Sequence, residues 1–294
     1  MLGKLIKHEW KATWKLPVLL CLFVILMTVI GCVSFYYIGI GDIESSKTMA
    51  LYTYIMVLLF IFNIMILSVA SIVILIYFSH RFYKNLFTDE GYLVHTLPVT
   101  PAQIIISKGV CATIWSIIVS FLTLIGMVVL IFSLINSILS ATDSGSMDML
   151  FRELKNVLPE IRIIFKQYAG FSLFTGVLLF ILLFILGSIS GILLPYMCLS
   201  LGQMCKKHRV AAAVGFYFAS FFAIQLVTSL ISIPFYIKQM FTISYNVNAN
   251  LDVIMGPAFS VFPTYIISII VSIALSIICY CVTRYVIGKK LNLE

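Results

Sequence analysis

Six apolar stretches, each long enough to cross a bilayer, dominate the chain; they run over 16–38, 50–78, 104–132, 170–201, 211–237 and 265–287. A helical span needs about 20 apolar residues. Backbone polar groups inside lipid must be satisfied within the segment, so such stretches fold as helices. Composition agrees: 62% of the 294 residues are apolar and 10% are charged, whereas soluble domains carry roughly 45–50% and 25%. So few charges cannot coat a soluble surface. The chain therefore reads as an all-α integral membrane protein, which excludes a soluble enzyme, a nucleic-acid-binding module and a disordered tail.

The net charge of +8 invites a nucleic-acid partner, but the placement of the charges gives a different reason for it. With the N-terminus in the cytosol, the inner segments hold Lys4, Lys7, Lys11, Lys15, Arg81, Lys84, Lys108, Lys206, Lys207, Arg209, Arg284, Lys289 and Lys290. The outer segments keep only Lys47, Arg152, Lys155, Arg162, Lys166 and Lys238. Acidic residues are sparse inside, where Glu9, Asp89, Glu90 and Glu294 lie, and more frequent outside. This is the bias of a multi-pass protein of the cytoplasmic membrane with both termini cytosolic. No nucleic acid is implied.

The polar segments carry the organisation of a single transmembrane domain over 1–294. Residues 1–15 alternate Leu2, Leu5, Ile6, Trp10 and Trp14 with Lys4, Lys7, His8, Lys11 and Lys15 at helical spacing. That pattern predicts an amphipathic interface helix in the cytosolic headgroup layer, its lysines towards anionic lipid. Residues 79–103 are predicted as a cytosolic segment with a short amphipathic helix, a turn at Glu90-Gly91, and Thr100-Pro101 as N-cap and first-turn proline of the third span. Residues 141–168 carry apolar positions every three or four residues, an outer amphipathic helix broken near Pro159. Residues 239–263 hold one charge, Asp252, and a Gly256-Pro257 pair, which fits an outer re-entrant element.

Enzyme-like patterns fail one by one. The run from Gly41 to Thr48 resembles a phosphate-binding loop, but Ser46 replaces its second glycine and a membrane helix precedes it where a strand is required. His8-Glu9 opens a zinc-protease pattern that Ala12 ends. No Gly-x-Ser-x-Gly elbow occurs, and paired intramembrane aspartates are missing. Val29-Ile30-Gly31-Cys32 looks like a lipoprotein box but lies within the first span as a small-residue patch. The seven cysteines lie in or beside spans. Cys279 and Cys281 point to different helix faces, so free thiols and no metal are expected.

No span core contains Asp, Glu or His, and Lys108, Lys238 and Arg284 are placed at span ends. Ion-coupled transporters, pumps and voltage sensors need ionisable groups at depth, so energy for any transport must come from outside the chain. The spans carry small and hydroxyl residues instead. Gly187 and Gly191 form a Gly-x-x-x-Gly pair, the mark of close helix packing. Thr113, Ser116, Ser120 and Thr123 line one face of span three, and Ser268, Ser272 and Ser276 one face of span six. Either helix packing or a weakly polar translocation surface accounts for these two stripes.

The layout resembles the membrane subunit of an ABC transporter of the type-2 exporter class. Its most specific part is Thr88-Asp89-Glu90-Gly91-Tyr92-Leu93, then Leu97-Pro98-Val99-Thr100, then Ser107-Lys108. These are similar to the family's acidic–glycine–Leu-Pro-Val–Lys sequence leading into span three, with a shorter gap between glycine and proline. The resemblance implies a permease subunit without its own ATPase or directly bound cofactor, ATP and Mg residing on a cytosolic ATPase pair. A second permease subunit, identical or paralogous, would complete the complex. Phe82, Tyr83, Phe87, Asp89, Glu90, Gly91, Tyr92, Leu97 and Pro98 would form the ATPase-coupling segment, its aromatics suited to a protein interface. The expected activity is ATP-driven export of an amphipathic cargo such as a peptide antibiotic, lipid or drug. Alternatives are a non-transporting scaffold or sensor partner and, less favoured by the charge-free spans, a channel or secondary transporter.

Overall fold

In the computed structural model of the chain, the described residues are 2–39, 46–88, 91, 99–141, 152, 155, 159, 162–163, 171–205, 208–247 and 262–289. Among them the regular structure is helical throughout: α1 (Leu2–Thr13), α2 (Lys15–Gly39), α3 (Ser46–Phe87), α4 (Pro101–Ala141), α5 (Leu173–Gly202), α6 (Arg209–Val247) and α7 (Phe262–Lys289). Six of these, α2 to α7, are long and apolar enough to cross a membrane, which makes the chain a multi-pass membrane protein.

Several helices outrun their apolar stretches. The 42 residues of α3 extend about 60 Å at 1.5 Å per residue, twice the roughly 30 Å hydrocarbon thickness. Residues 79–87 are the tail of α3; they contain no glycine or proline, so nothing local stops the helix where its polarity rises. Gly91, beyond the end of α3, is helical as well. Likewise α6 runs on to Val247. The first nine residues of the expected re-entrant segment, 239–247, are thus continuous helix, Phe262 and Pro263 open α7, and 248–261 lie outside the described residues. In the 141–168 segment, Arg152, Lys155, Pro159, Arg162 and Ile163 are helical and exposed, and Pro159 itself is in helical conformation.

Helix starts follow local chemistry. Thr100 and Gln103 make a capping box: the Gln103 N–H donates to Thr100 Oγ1 at 3.4 Å, and the Thr100 N–H donates to Gln103 Oε1 at 3.2 Å. Pro101 follows as first helical residue, where its missing N–H is harmless. Ser172 caps α5 by accepting from the Thr175 N–H at 3.2 Å. His208, at φ 55, turns the chain into α6 and accepts the Ala212 N–H through its carbonyl at 2.9 Å.

The contacts divide the chain into two compact units, Met1–Phe78 with Val110–Asn156 and Ser79–Gly109 with Val157–Glu294. In the first unit, α2 lies close against α3 and α4 at glycines. A Cβ on Gly31 would stand 2.5 Å from Leu130 Cδ2 and 2.9 Å from Asn63 Oδ1, and one on Gly126 would strike Thr28 Cγ2. Ser133 and Ser137 of α4 donate to the Cys32 and Phe35 carbonyls of α2, at 3.4 and 2.7 Å. Gly31 and Cys32 are thus helix-packing residues. The α1 helix shows the expected pattern: Leu2, Leu5, Ile6 and Trp10 are half-buried and Lys4, Lys7, His8 and Lys11 exposed. Trp10 stacks on Trp115 of α4, centroids 4.9 Å apart.

In the second unit α5 packs on both α6 and α7. Leu194, Met197 and Cys198 of α5 meet Cys279 of α7 in a buried cluster, flanked by Tyr217 and Ile224 of α6. Gly202 lets α6 begin close by, since a Cβ there would lie 2.7 Å from Ala213 Cβ and 2.8 Å from the Arg209 carbonyl. All seven cysteines are free, with Cys279 buried and Cys281 exposed on the opposite face.

Candidate functional site

The connection between α3 and α4, both of whose feet lie in the second unit, is the candidate site. At its first foot Phe82 is 1% exposed and lies parallel on Tyr196 of α5, ring centroids 3.9 Å apart and planes 9° from coplanar. Phe87 meets Phe82 edge-on at 5.9 Å, and Tyr83 packs on Phe87 at 6.1 Å. A graded aromatic cluster results, from Tyr196 and Phe82 in the interior to half-buried Phe87 and Tyr83. Phe82, which the resemblance assigns to the coupling segment, packs its ring inside the chain. Tyr83 and Phe87 keep part of their surface open.

Past the end of α3, Gly91 is helical and tightly placed. The Thr88 hydroxyl donates back to the Lys84 carbonyl, and the Gly91 N–H donates to the Thr88 carbonyl at 2.7 Å. Gly91 is buried, and a Cβ on it would run into the Leu86 carbonyl group, whose carbon lies 2.7 Å away. Because the obstacle is backbone, no side-chain rearrangement relieves it. Asp89, Glu90, Tyr92, Leu97 and Pro98 lie outside the described residues. At the second foot, Pro101 Cγ stands 3.9 Å from where a Cβ on Gly288 of α7 would be. Beyond it Ser107 and Lys108, near the start of α4, are 2% and 7% exposed.

The hydroxyl stripes satisfy themselves locally. Thr113 donates to the Val110 carbonyl at 3.0 Å and Thr123 to Ser120 at 2.8 Å; Ser268 and Ser276 donate to Thr264 and Ser272 at 2.8 and 2.7 Å. Thr113, Ser116, Ser120 and Thr123 are half-buried in the first unit; in the second, Ser272 and Ser276 are half-buried and Ser268 is exposed. Such back-bonding leaves a face only weakly polar. At Gly187 and Gly191, by contrast, a Cβ would meet nothing within 4 Å among the described residues. The close contacts belong to Gly31, Gly126 and Gly202.

Sequence reasoning missed Tyr196, Trp115 and the Thr100–Gln103 box. The last was legible, since Gln stands three residues after Thr. The two aromatics sit in uniformly apolar runs, where no local signal separates an internal ring from a lipid-facing one. Compared with protein-family models, curated proteins and solved structures, the chain matches none.

Proposed function

We propose that the chain is the permease subunit of an ATP-driven transporter of the type-2 ABC exporter class, moving an amphipathic cargo out across the cytoplasmic membrane. The observation that carries this reading is the absence of Asp, Glu and His from all six span cores, combined with the half-buried aromatics Tyr83 and Phe87 at the end of α3, where Gly91 sits against the Leu86 backbone. Span cores without acidic or histidine side chains lack the groups that ion-coupled motors use at depth. In this reading Tyr83, Phe87 and the acidic pair Asp89 and Glu90 dock on a cytosolic ATPase, which holds the ATP and Mg. The weakly polar hydroxyl faces offer a path to a lipid-like cargo, and the open glycines at 187 and 191 admit a second permease subunit. Both termini then lie in the cytosol, with α1 resting on the inner headgroup layer through Lys4, Lys7 and Lys11.

The test is copurification of the full-length chain from its native membrane, followed by ATPase assays of the reconstituted complex. An ATP-hydrolysing partner is expected, with hydrolysis that Glu90→Arg uncouples. Recovery with a kinase or synthase and no ATPase supports the scaffold reading instead. Flux driven by a proton or sodium gradient without ATP overturns the proposal.

A further inference from the structure

The aromatic contact at the first foot of the α3–α4 connection suggests a function for two residues that do not face any partner. Phe82 and Tyr196 are each 1% exposed, and their rings lie nearly coplanar-stacked at 3.9 Å. Most aromatic pairs sit offset or edge-on with centroids roughly 4.5–7 Å apart; this pair is closer, as parallel stacking in a crowded site requires. Both residues are on helices, so the contact joins two rigid rods. Phe82 lies six residues before Thr88 on the unbroken end of α3. Tyr196 follows the buried Pro195 of α5 and adjoins Met197 and Cys198, which pack against α7. Gly91 in turn is pressed on the Leu86 backbone, so it cannot shift without displacing the end of α3. Gly91 and the end of α3 are thus joined along the chain to Phe82, Phe82 is joined to α5 by the stack on Tyr196, and Tyr196 adjoins in sequence the residues of the α5–α7 cluster.

We propose that the Phe82–Tyr196 stack is the rigid joint that carries displacement of the 88–100 connection into α5, making both residues positioning residues for transport. This rests on the reading of that connection as the ATPase-docking segment. Coupling through packed side chains needs direct evidence of two linked elements and not spatial adjacency alone, so the test has two arms. In the first, hydrogen–deuterium exchange is measured on the full-length chain in lipid nanodiscs for the unaltered protein, Tyr196→Ala and Tyr196→Phe. Tyr196→Ala is expected to speed exchange at 79–88 and 190–200 by about tenfold, leaving 20–35 unchanged, while Tyr196→Phe, which keeps the ring, restores the original rates. Unaltered exchange at 79–88 in Tyr196→Ala overturns the joint, whatever partner the chain has.

In the second arm, ATP and vanadate trap the copurified ATPase complex, and exchange is compared with the nucleotide-free complex. Tyr196→Ala is expected to retain the response at 88–100 but to shrink the response at 190–200 about fivefold or more. An undiminished response at 190–200 overturns the route. If no ATPase copurifies with the unaltered chain, the functional reading falls and the first arm alone decides the joint. Should Tyr196→Ala fail to insert, Phe82→Leu removes the ring while filling the space and takes its place in both arms.

Discussion

Which glycines matter is decided by what a methyl group would meet. Gly31→Leu must displace Leu130 and Asn63, 2.5 and 2.9 Å from the first added carbon, and overpacking of this kind costs about 1–3 kcal/mol. Gly187→Ala meets nothing within 4 Å and exchanges a poor helix former for the best one, a gain of up to about 1 kcal/mol. Thermal unfolding of the isolated chain in detergent should show Gly31→Leu lowered and Gly187→Ala unchanged or raised; equal losses would refute the assignment. Gly91→Ala is a different case, because its obstacle is the Leu86 backbone. Faster amide exchange at 84–91 with an unchanged global melting point is the expected outcome.

At the level of the element, α1 is held by specific contacts as well as by its amphipathic face. Trp10 stacks on Trp115, and the Cys111 thiol donates to the Ile6 carbonyl at 3.5 Å. A stacked pair is worth about 0.5–1.5 kcal/mol beyond its buried area. Trp10→Ala should therefore loosen α1 and raise maleimide labelling of Cys111, which is 1% exposed, without altering the labelling of exposed Cys281. Labelling of Cys111 at the original rate would mean that Trp115 and Cys111 stay covered without the stack. The α4 start offers a second case. Thr100→Ala deletes the cap acceptor for Gln103 N–H and should cost about 1 kcal/mol, read as fraying of the first turn of α4 by hydrogen exchange.

For the whole molecule, six helices long and apolar enough to cross a membrane predict that the two ends lie on the same side. Epitope tags at the two ends should be accessible together, or protected together, in sealed vesicles of one orientation; opposite accessibility would remove one span. In the proposed permease that shared side is the cytosol, the side the lysine and arginine distribution favours. Division into two compact units, with the feet of the α3–α4 connection counted among the helices α5 to α7, makes that connection the part of the chain whose displacement most directly concerns the second unit.

The sequence alone determined the number and position of the spans, because a helix must bury its own backbone polar groups in lipid and about 20 apolar residues suffice. It also determined the amphipathic face of α1 and the Thr100-Pro101 start of α4, where polar and apolar residues alternate or a cap residue announces itself. Which face of each span meets protein was decided only by the tertiary structure. In water, hydrophobicity marks the buried face; in a bilayer, lipid tails are as apolar as leucine, so the pattern no longer separates inside from outside. That is why the stack of Phe82 on Tyr196 could not be read from the sequence, and why Gly187 and Gly191 stand open while Gly31 and Gly126 carry the close contacts.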